Sequence, residues 1–215
     1  MNKIKNKIIL QIFIIYTRYL IGGVFVFASL IKIKGNRFTS ESGELNPINS
    51  AWHFFETIYQ SGLYWKFIGL AQLIAGFLLM TQRFSKLGAV VNLPIILNIF
   101  IITLSYYFAY TPVITGLMLL ANLMLIIWDW DDLKVLFNLK PYIDINIRLE
   151  HDYFWQMLGL LLFAFTFIYR CLFTTYNLWF WLLTCFSIAL IGLIIGLDRE
   201  RKRKKLLSDL KNTQL

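Results

Sequence analysis

The sequence predicts an all-α, polytopic membrane protein with six transmembrane helices. Of its 215 residues, 58% are hydrophobic and only 15% are charged, whereas about a quarter are charged in an ordinary soluble domain. Several apolar runs reach the roughly 20 residues that a helix needs to cross a bilayer. We expect helices in these runs because an open strand would leave its backbone polar groups unsatisfied in lipid.

Six apolar segments are separated by charged or turn-forming residues. They are approximately Ile8–Ile31, Leu63–Thr81, Leu87–Leu104, Tyr107–Ile127, Tyr153–Leu172 and Leu178–Leu197. Basic residues concentrate in the pieces that share a side with both termini, so the positive-inside rule predicts a cytoplasmic N-terminus and a cytoplasmic C-terminus. The first run is longer than the apolar core of a signal peptide and is interpreted as an uncleaved span.

The segments group into four units. Residues 1–127 are expected to form a four-helix membrane core, 128–152 a cytoplasmic loop, 153–197 two additional transmembrane helices, and 198–215 a basic cytoplasmic tail. Within the core, the outward loop carries apolar residues at helical spacing over about 47–61. This amphipathic helix either lies on the outer membrane surface or forms a lid over a binding site.

The cytoplasmic loop carries two patterns. Its first residues include Asp129, Asp131 and Asp132, which we interpret as a solvated acidic helix start and not as a metal site. Apolar and polar residues then alternate over Tyr142–Glu150, which is typical of a half-buried strand. This strand would pair with a partner protein or pack against its own bundle.

Composition also limits the function classes. The formal net charge is +9, but the basic tail beside the last span favours contact with anionic lipid headgroups over nucleic acid. Cys171 and Cys185 do not form a Cys-x-x-Cys motif and are expected to be free thiols. The histidines lie outside the spans, which argues against a bis-histidine haem, and no zinc or phosphate-loop pattern is present.

Arg18 is the most unusual residue, because an arginine inside an apolar run is costly at bilayer depth. Counting 1.5 Å per residue along each predicted helix places several amides at comparable depth. The candidate site is this intramembrane polar layer, which comprises Arg18, Gln72, Asn92, Asn98 and Asn122. No Asp or Glu is predicted at this depth, so Arg18 is expected to lack a protein counter-ion.

Two interpretations of this layer are open. Arg18 either reaches the inner surface while the amides hold the helices together, or the layer forms a pocket for an anion or a polar head group such as a quinone carbonyl. The Gly192-x-x-x-Gly196 pair in the last span permits close helix approach and is compatible with a homo-oligomer.

Short motifs resemble those of the DoxX family of small bacterial membrane proteins. On the first span they are Arg18, Gly22, Phe25, Ser29 and Lys32. Further support comes from Gly69-Leu-Ala-Gln-Leu-Ile-Ala-Gly76, from the basic turn Thr81–Gly88 and from Leu93-Pro-Ile-Ile-Leu-Asn98. The resemblance covers roughly residues 10–127, which are the first four spans.

The resemblance implies a four-helix membrane bundle and a redox-associated membrane subunit, either quinone-binding or accessory, in the cytoplasmic membrane of a bacterium. Gln72 stands where family members often carry a glutamate, which removes the natural partner of Arg18. A non-catalytic scaffold or assembly protein with a membrane or cytoplasmic protein partner is the alternative, followed by a small anion transporter.

Overall fold

The computed structural model describes residues 5–107, 109–140, 148–175 and 177–213, with side chains described as far as residue 206. Its α-helices are α1 (Ile8–Ile33), α2 (Ala51–Gln60), α3 (Leu63–Met80), α4 (Ser85–Ser105), α5 (Thr111–Trp128), α6 (Trp130–Leu133), α7 (Tyr153–Leu172) and α8 (Leu178–Thr213). Short 3-10 helices occupy Lys134–Phe137 and Leu149–His151.

Six of the described helices, namely α1, α3, α4, α5, α7 and α8, are long and apolar enough to cross a membrane. The prediction of an all-α, multi-pass membrane bundle is therefore confirmed. With six crossings, α1 begins and the membrane part of α8 ends at the same side, which we call the terminal end of the bundle. The other side, where residues 34–62 join α1 to α3, is the loop end.

Two predicted boundaries were wrong for local reasons. The fourth span begins at Thr111 and not at Tyr107, because Pro112 suits the first turn of a helix and Ala109 before it has a positive φ of 48°. The last helix continues to Thr213, well beyond Leu197. Its basic extension is helical, with ion pairs one turn apart such as Lys202–Asp198 at 2.7 Å.

Helix α1 is the centre of the bundle, and its most extensive neighbour is α3. Small residues let these two backbones approach closely. A Cβ atom added to Gly76 would lie 2.7 Å from the carbonyl oxygen of Gly22, and one added to Gly69 would lie 2.8 Å from the Cβ of Lys32. The close contact sets the register of α1 against α3, with Gly69 opposite Lys32 and Gly76 opposite Gly22.

Two apolar clusters share α1. One includes Ile14, Ile21 and Phe25 and is completed by residues of α3, α4 and α5. The other includes Ile15, Tyr19 and Val26 and is completed mainly by α7, with α8 covering its far side. Helix α1 therefore packs on one side against α3, α4 and α5 and on the other against α7.

Helices α7 and α8 are hydrogen-bonded to α1 and pack against each other. Tyr19 donates its hydroxyl hydrogen to the carbonyl of Trp155, and Tyr16 donates to the carbonyl of Ala189 at 2.7 Å. Side chains of α7 cover Gly192 and Gly196, the pair that was compatible with a homo-oligomer contact. The nearest atoms belong to Leu158 and Trp155, respectively.

The connections differ in part from the predictions. The amphipathic helix begins at Ala51, four residues later than expected, because Ser50 accepts a hydrogen bond from the backbone N–H of His53 and caps it. Most of the predicted strand over Tyr142–Glu150 lies outside the described residues. Its last two residues belong to a 3-10 helix and are buried against the bundle.

We expect Gly76→Ala to destabilise the bundle by about 1–3 kcal/mol, since the new methyl group overpacks the α1–α3 contact. Thermal unfolding in one neutral detergent measures the effect. Gly23→Ala is the matched control, because a Cβ atom at Gly23 meets nothing within 4 Å. Equal unfolding temperatures for the two variants would contradict the proposed register.

Candidate functional site: a buried ion cluster and a cavity at Lys32

Arg18 is completely buried and has three side-chain partners near the terminal end of the bundle. Its Nη2 lies 2.6 Å from Oδ2 of Asp129, and its Nη1 lies 2.5 Å from Oε2 of Glu150. Nη1 also donates to Oε1 of Gln82 at 3.0 Å. Charged hydrogen bonds of this length are strong, and they hold the guanidinium in a fixed orientation.

The expectation that Arg18 lacks a protein counter-ion was therefore wrong, as was the expectation that Asp129 is solvated. Asp129 follows the last residue of α5 and is 0% exposed, and Glu150 is 4% exposed. Both carboxylates stand outside the apolar runs in the sequence, so their depth was underestimated. Residues 148–151 fold back onto the bundle and bring Glu150 to Arg18.

Other charges complete what we call the Arg18 cluster, defined as Arg18, Gln82, Asp129, Arg148 and Glu150. Nη1 of Arg148 lies 3.4 Å from Oδ1 of Asp129. Burial alone would raise the pKa of Glu150, but the charge and hydrogen bond of Arg18 outweigh it and hold that pKa below its usual range. Two guanidinium groups and two carboxylates give the cluster a balanced charge.

A ring of further ion pairs surrounds the cluster toward solvent. Lys86 pairs with Asp132 at 2.6 Å, and Lys5 pairs with Asp131 at 2.8 Å. The space beside Arg148 and Glu150 measures only about 10 Å³, which suffices for about one water molecule. The cluster is therefore a joint between α1, the α3–α4 turn, the end of α5 and residues 148–151.

The predicted amides separate into two places. Asn92 donates to Oδ1 of Asn122 at 2.9 Å, and Asn122 donates to the carbonyl of Ala89 at 3.0 Å. These two asparagines are fully buried and join α4 to α5. Gln72 and Asn98 instead line a cavity toward the loop end, so the five predicted residues do not form one layer.

This cavity, which we call the Lys32 cavity, has a volume of about 280 Å³. Its walls come from α1, α3, α4 and α5, and α2 contributes Phe55 and Ile58. Aliphatic and aromatic side chains dominate the walls. The polar side chains that line it are Lys32, Gln72, Asn98, Thr103, Thr111 and Thr115.

Lys32 points into the bundle, although it stands in the last turn of α1. Its side chain is only 7% exposed and lines the cavity, and its Nζ donates to the carbonyl of Ala28 at 2.8 Å. It also lies 5.2 Å from the ring centroid of Trp65 and 5.4 Å from that of Phe38. A lysine near a helix end normally extends toward water, so this inward direction is unusual.

Gln72 lies three residues deeper along α3 than Gly69, the residue that contacts Lys32. It is 4% exposed, and its Oε1 has no hydrogen-bond partner among the described residues. A buried amide oxygen without a partner is costly. An acceptor and a cation thus border the same cavity, which is the usual composition of a small-molecule site.

Sequence reasoning missed Lys32 as a site residue, because a lysine at the end of an apolar run is expected to extend toward water. The motif on the first span ended at Lys32, but the charge count alone gave no direction for its side chain. The sequence signal that could have indicated this direction is Gly69. Because it has no side chain, α3 can approach α1 closely beside Lys32.

Helix α2 closes the cavity from the loop end. Phe55 and Ile58 line it, and the ring of Phe54 stacks on that of Tyr106 at a centroid distance of 4.3 Å. This position favours the lid interpretation over a helix lying on the membrane surface. The segment is bounded by Gly35 and Gly62, with positive φ values of 69° and 58° that few other residues adopt.

A buried carboxylate holds the lid segment together. Glu56 is 2% exposed and accepts hydrogen bonds from Nε and Nη2 of Arg37, both at 2.9 Å, and from the backbone N–H of Gly43 at 3.2 Å. The hydrogen bond from Arg37 holds the pKa of Glu56 below its usual range. This pairing is complete above the ordinary glutamate pKa of about 4.3 and is lost as pH falls through the lower folded-state value.

We expect Arg18→Met to destabilise the protein by about 3–5 kcal/mol, because it leaves two buried carboxylates without their main partner. Adding Asp129→Asn and Glu150→Gln should restore much of the loss. Arg83→Met, at an exposed arginine of the same end, should stay within about 0.5 kcal/mol of the wild type. Thermal unfolding of the three variants tests this, and equal stability of Arg18→Met and Arg83→Met would contradict it.

We expect Glu56→Gln to speed hydrogen–deuterium exchange of the amides in residues 36–61 at neutral pH, because Arg37 and Gly43 lose their common acceptor. The control is Glu41→Gln, which changes an exposed acid of the same segment. Mass spectrometry of peptic fragments measures the exchange. Unchanged protection in Glu56→Gln would show that the carboxylate does not hold the segment.

No protein-family model, curated protein or solved structure matches this chain. The comparisons therefore give no support to the resemblance to the DoxX family, which stays a prediction from the sequence. What the structure identifies is the architecture, a multi-pass helical membrane bundle.

Proposed function

We propose that this chain is a membrane-embedded binding protein that holds a lipophilic molecule by its polar head group in the Lys32 cavity. In the form suggested by the DoxX-like motifs, the ligand class is quinone and the chain is a redox-associated, quinone-binding or accessory subunit in the cytoplasmic membrane of a bacterium. The observation that carries the proposal is an apolar cavity bordered by an inward-pointing lysine and an unpartnered glutamine.

The dimensions and the lining support a head-group site. At about 280 Å³ the cavity lies just below the range of roughly 300–1,000 Å³ found for small-molecule sites. It therefore suits one ring or head group, while an attached chain would lie along the apolar surface of the bundle. Exposed apolar residues at its edge, such as Ile114 at 56% exposure, provide such a surface.

The polar groups support a head group with oxygen atoms. The ammonium of Lys32 donates hydrogen bonds, and the amide of Gln72 both donates and accepts them. Carbonyl and hydroxyl oxygens of a quinone or quinol meet these requirements. Arg18, the first candidate from the sequence, is instead ion-paired with two carboxylates, and the space beside its cluster is too small for a head group.

We expect Ala28→Phe to abolish binding, because Ala28 lines the cavity on α1 and the larger ring fills it. Leu20→Phe adds the same ring at a position of the same helix that is 68% exposed, and it should leave binding unchanged. The measurement is native mass spectrometry of protein extracted gently from its own membrane, followed by organic extraction of bound molecules.

The expected result is one polar-headed lipophilic molecule per wild-type chain and per Leu20→Phe chain, and none in Ala28→Phe. Equal amounts in both variants would place the ligand elsewhere. A specific protein partner with no bound small molecule in the wild type would overturn the proposal and favour the scaffold or assembly function.

A further inference from the structure

We infer that the Lys32 cavity selects ligands whose head group carries an anionic oxygen, a carboxylate or a phosphate, on an apolar chain. This inference rests on the proposed function, in which the same cavity holds a polar head group, and it replaces the neutral quinone as the ligand class by a lipophilic anion. It is carried by the difference between the two buried cations of the bundle, Arg18 and Lys32.

The positive charge of Lys32 is not balanced by the protein. Among the described residues, no carboxylate lies within 4 Å of its Nζ, whereas Arg18 has two such partners. An ammonium buried without a partner is unfavourable and tends to lose its proton, and an anionic ligand oxygen would stabilise the charged form of Lys32.

The hydrogen-bonding capacity of Lys32 also points to a ligand. An ammonium group has three hydrogen atoms to donate, and the structure assigns one of them, to the carbonyl of Ala28. The aromatic faces of Trp65 and Phe38 support the cation but are weak acceptors compared with an anion. Two donors therefore stay available for the oxygens of a head group.

Other polar groups around the cavity compete little for that head group. The hydroxyls of Thr103 and Thr115 are 2.8 Å apart and bind each other. Oε1 of Gln72, an acceptor without a partner in the described part of the chain, lies on the same wall as Gly69 and suits a hydroxyl or protonated oxygen of the ligand. The remaining lining is apolar and suits the attached chain.

Titration of the full-length protein in a neutral detergent tests the inference. Three probes have sixteen-carbon chains and differ in the head group: palmitate, hexadecyl phosphate and the neutral alcohol hexadecanol. Decylubiquinone, with a ten-carbon chain, is the neutral quinone. We expect wild-type protein to bind at least one of the two anions about tenfold or more tightly than hexadecanol, and whichever anion binds identifies the source of the oxygen.

The variants assign the preference to one side chain. Lys32→Met should lose the tenfold preference while its affinity for hexadecanol stays the same, and Lys32→Arg should keep it. Lys66→Met removes an exposed charge of the same end, outside the cavity, and should retain it. Ala28→Phe should bind neither anion.

Two results would overturn the inference and leave the proposed function intact. The first is equal affinity for decylubiquinone, hexadecanol and the anions in wild-type protein. The second is an anion preference that persists in Lys32→Met. Two other results would remove the cavity as a ligand site and with it the proposed function. These are binding of every probe by Ala28→Phe and binding of none of the probes by wild-type protein.

Discussion

Charge pairing inside an apolar bundle determines how the terminal end of this molecule is built. Arg18 lies in an apolar helix and is completely buried in the bundle, where it is tolerated because Asp129 and Glu150 reach it from two connecting segments. That requirement draws residues 148–151 onto the bundle and fixes the end of α5. One buried arginine thereby organises the terminal end of the molecule.

The loop end follows the opposite pattern. Lys32 is nearly as buried as Arg18, at 7% exposure, but its surroundings are aromatic rings, a backbone carbonyl and a cavity. The segment that covers this cavity is held by its own ion pair between Arg37 and Glu56. The bundle therefore separates a cation paired with two carboxylates, which stabilises the fold, from one without a carboxylate partner among the described residues, which has the properties of a binding group.

The sequence was sufficient for the architecture because apolar run length and the cost of exposed backbone in lipid leave few alternatives. It also identified Arg18, Gln72 and Asn98 as unusual. It failed on partners, since pairing of Arg18 with Asp129 and Glu150 joins residues more than 100 positions apart. The direction of the Lys32 side chain could not be predicted either, because a lysine at the end of a span normally extends to water. The small residue Gly69, which lets α3 approach α1 at Lys32, was the one indication of an inward direction.

The most direct measurement is a density map of the protein in lipid nanodiscs prepared from its own membrane. We expect continuous density for a bound molecule in the cavity, with its head group in contact with Nζ of Lys32, and direct ion pairs without ligand density around Arg18. A cavity that is empty or filled with water, or a ligand located at Arg18, would contradict the division into a structural cluster and a binding site.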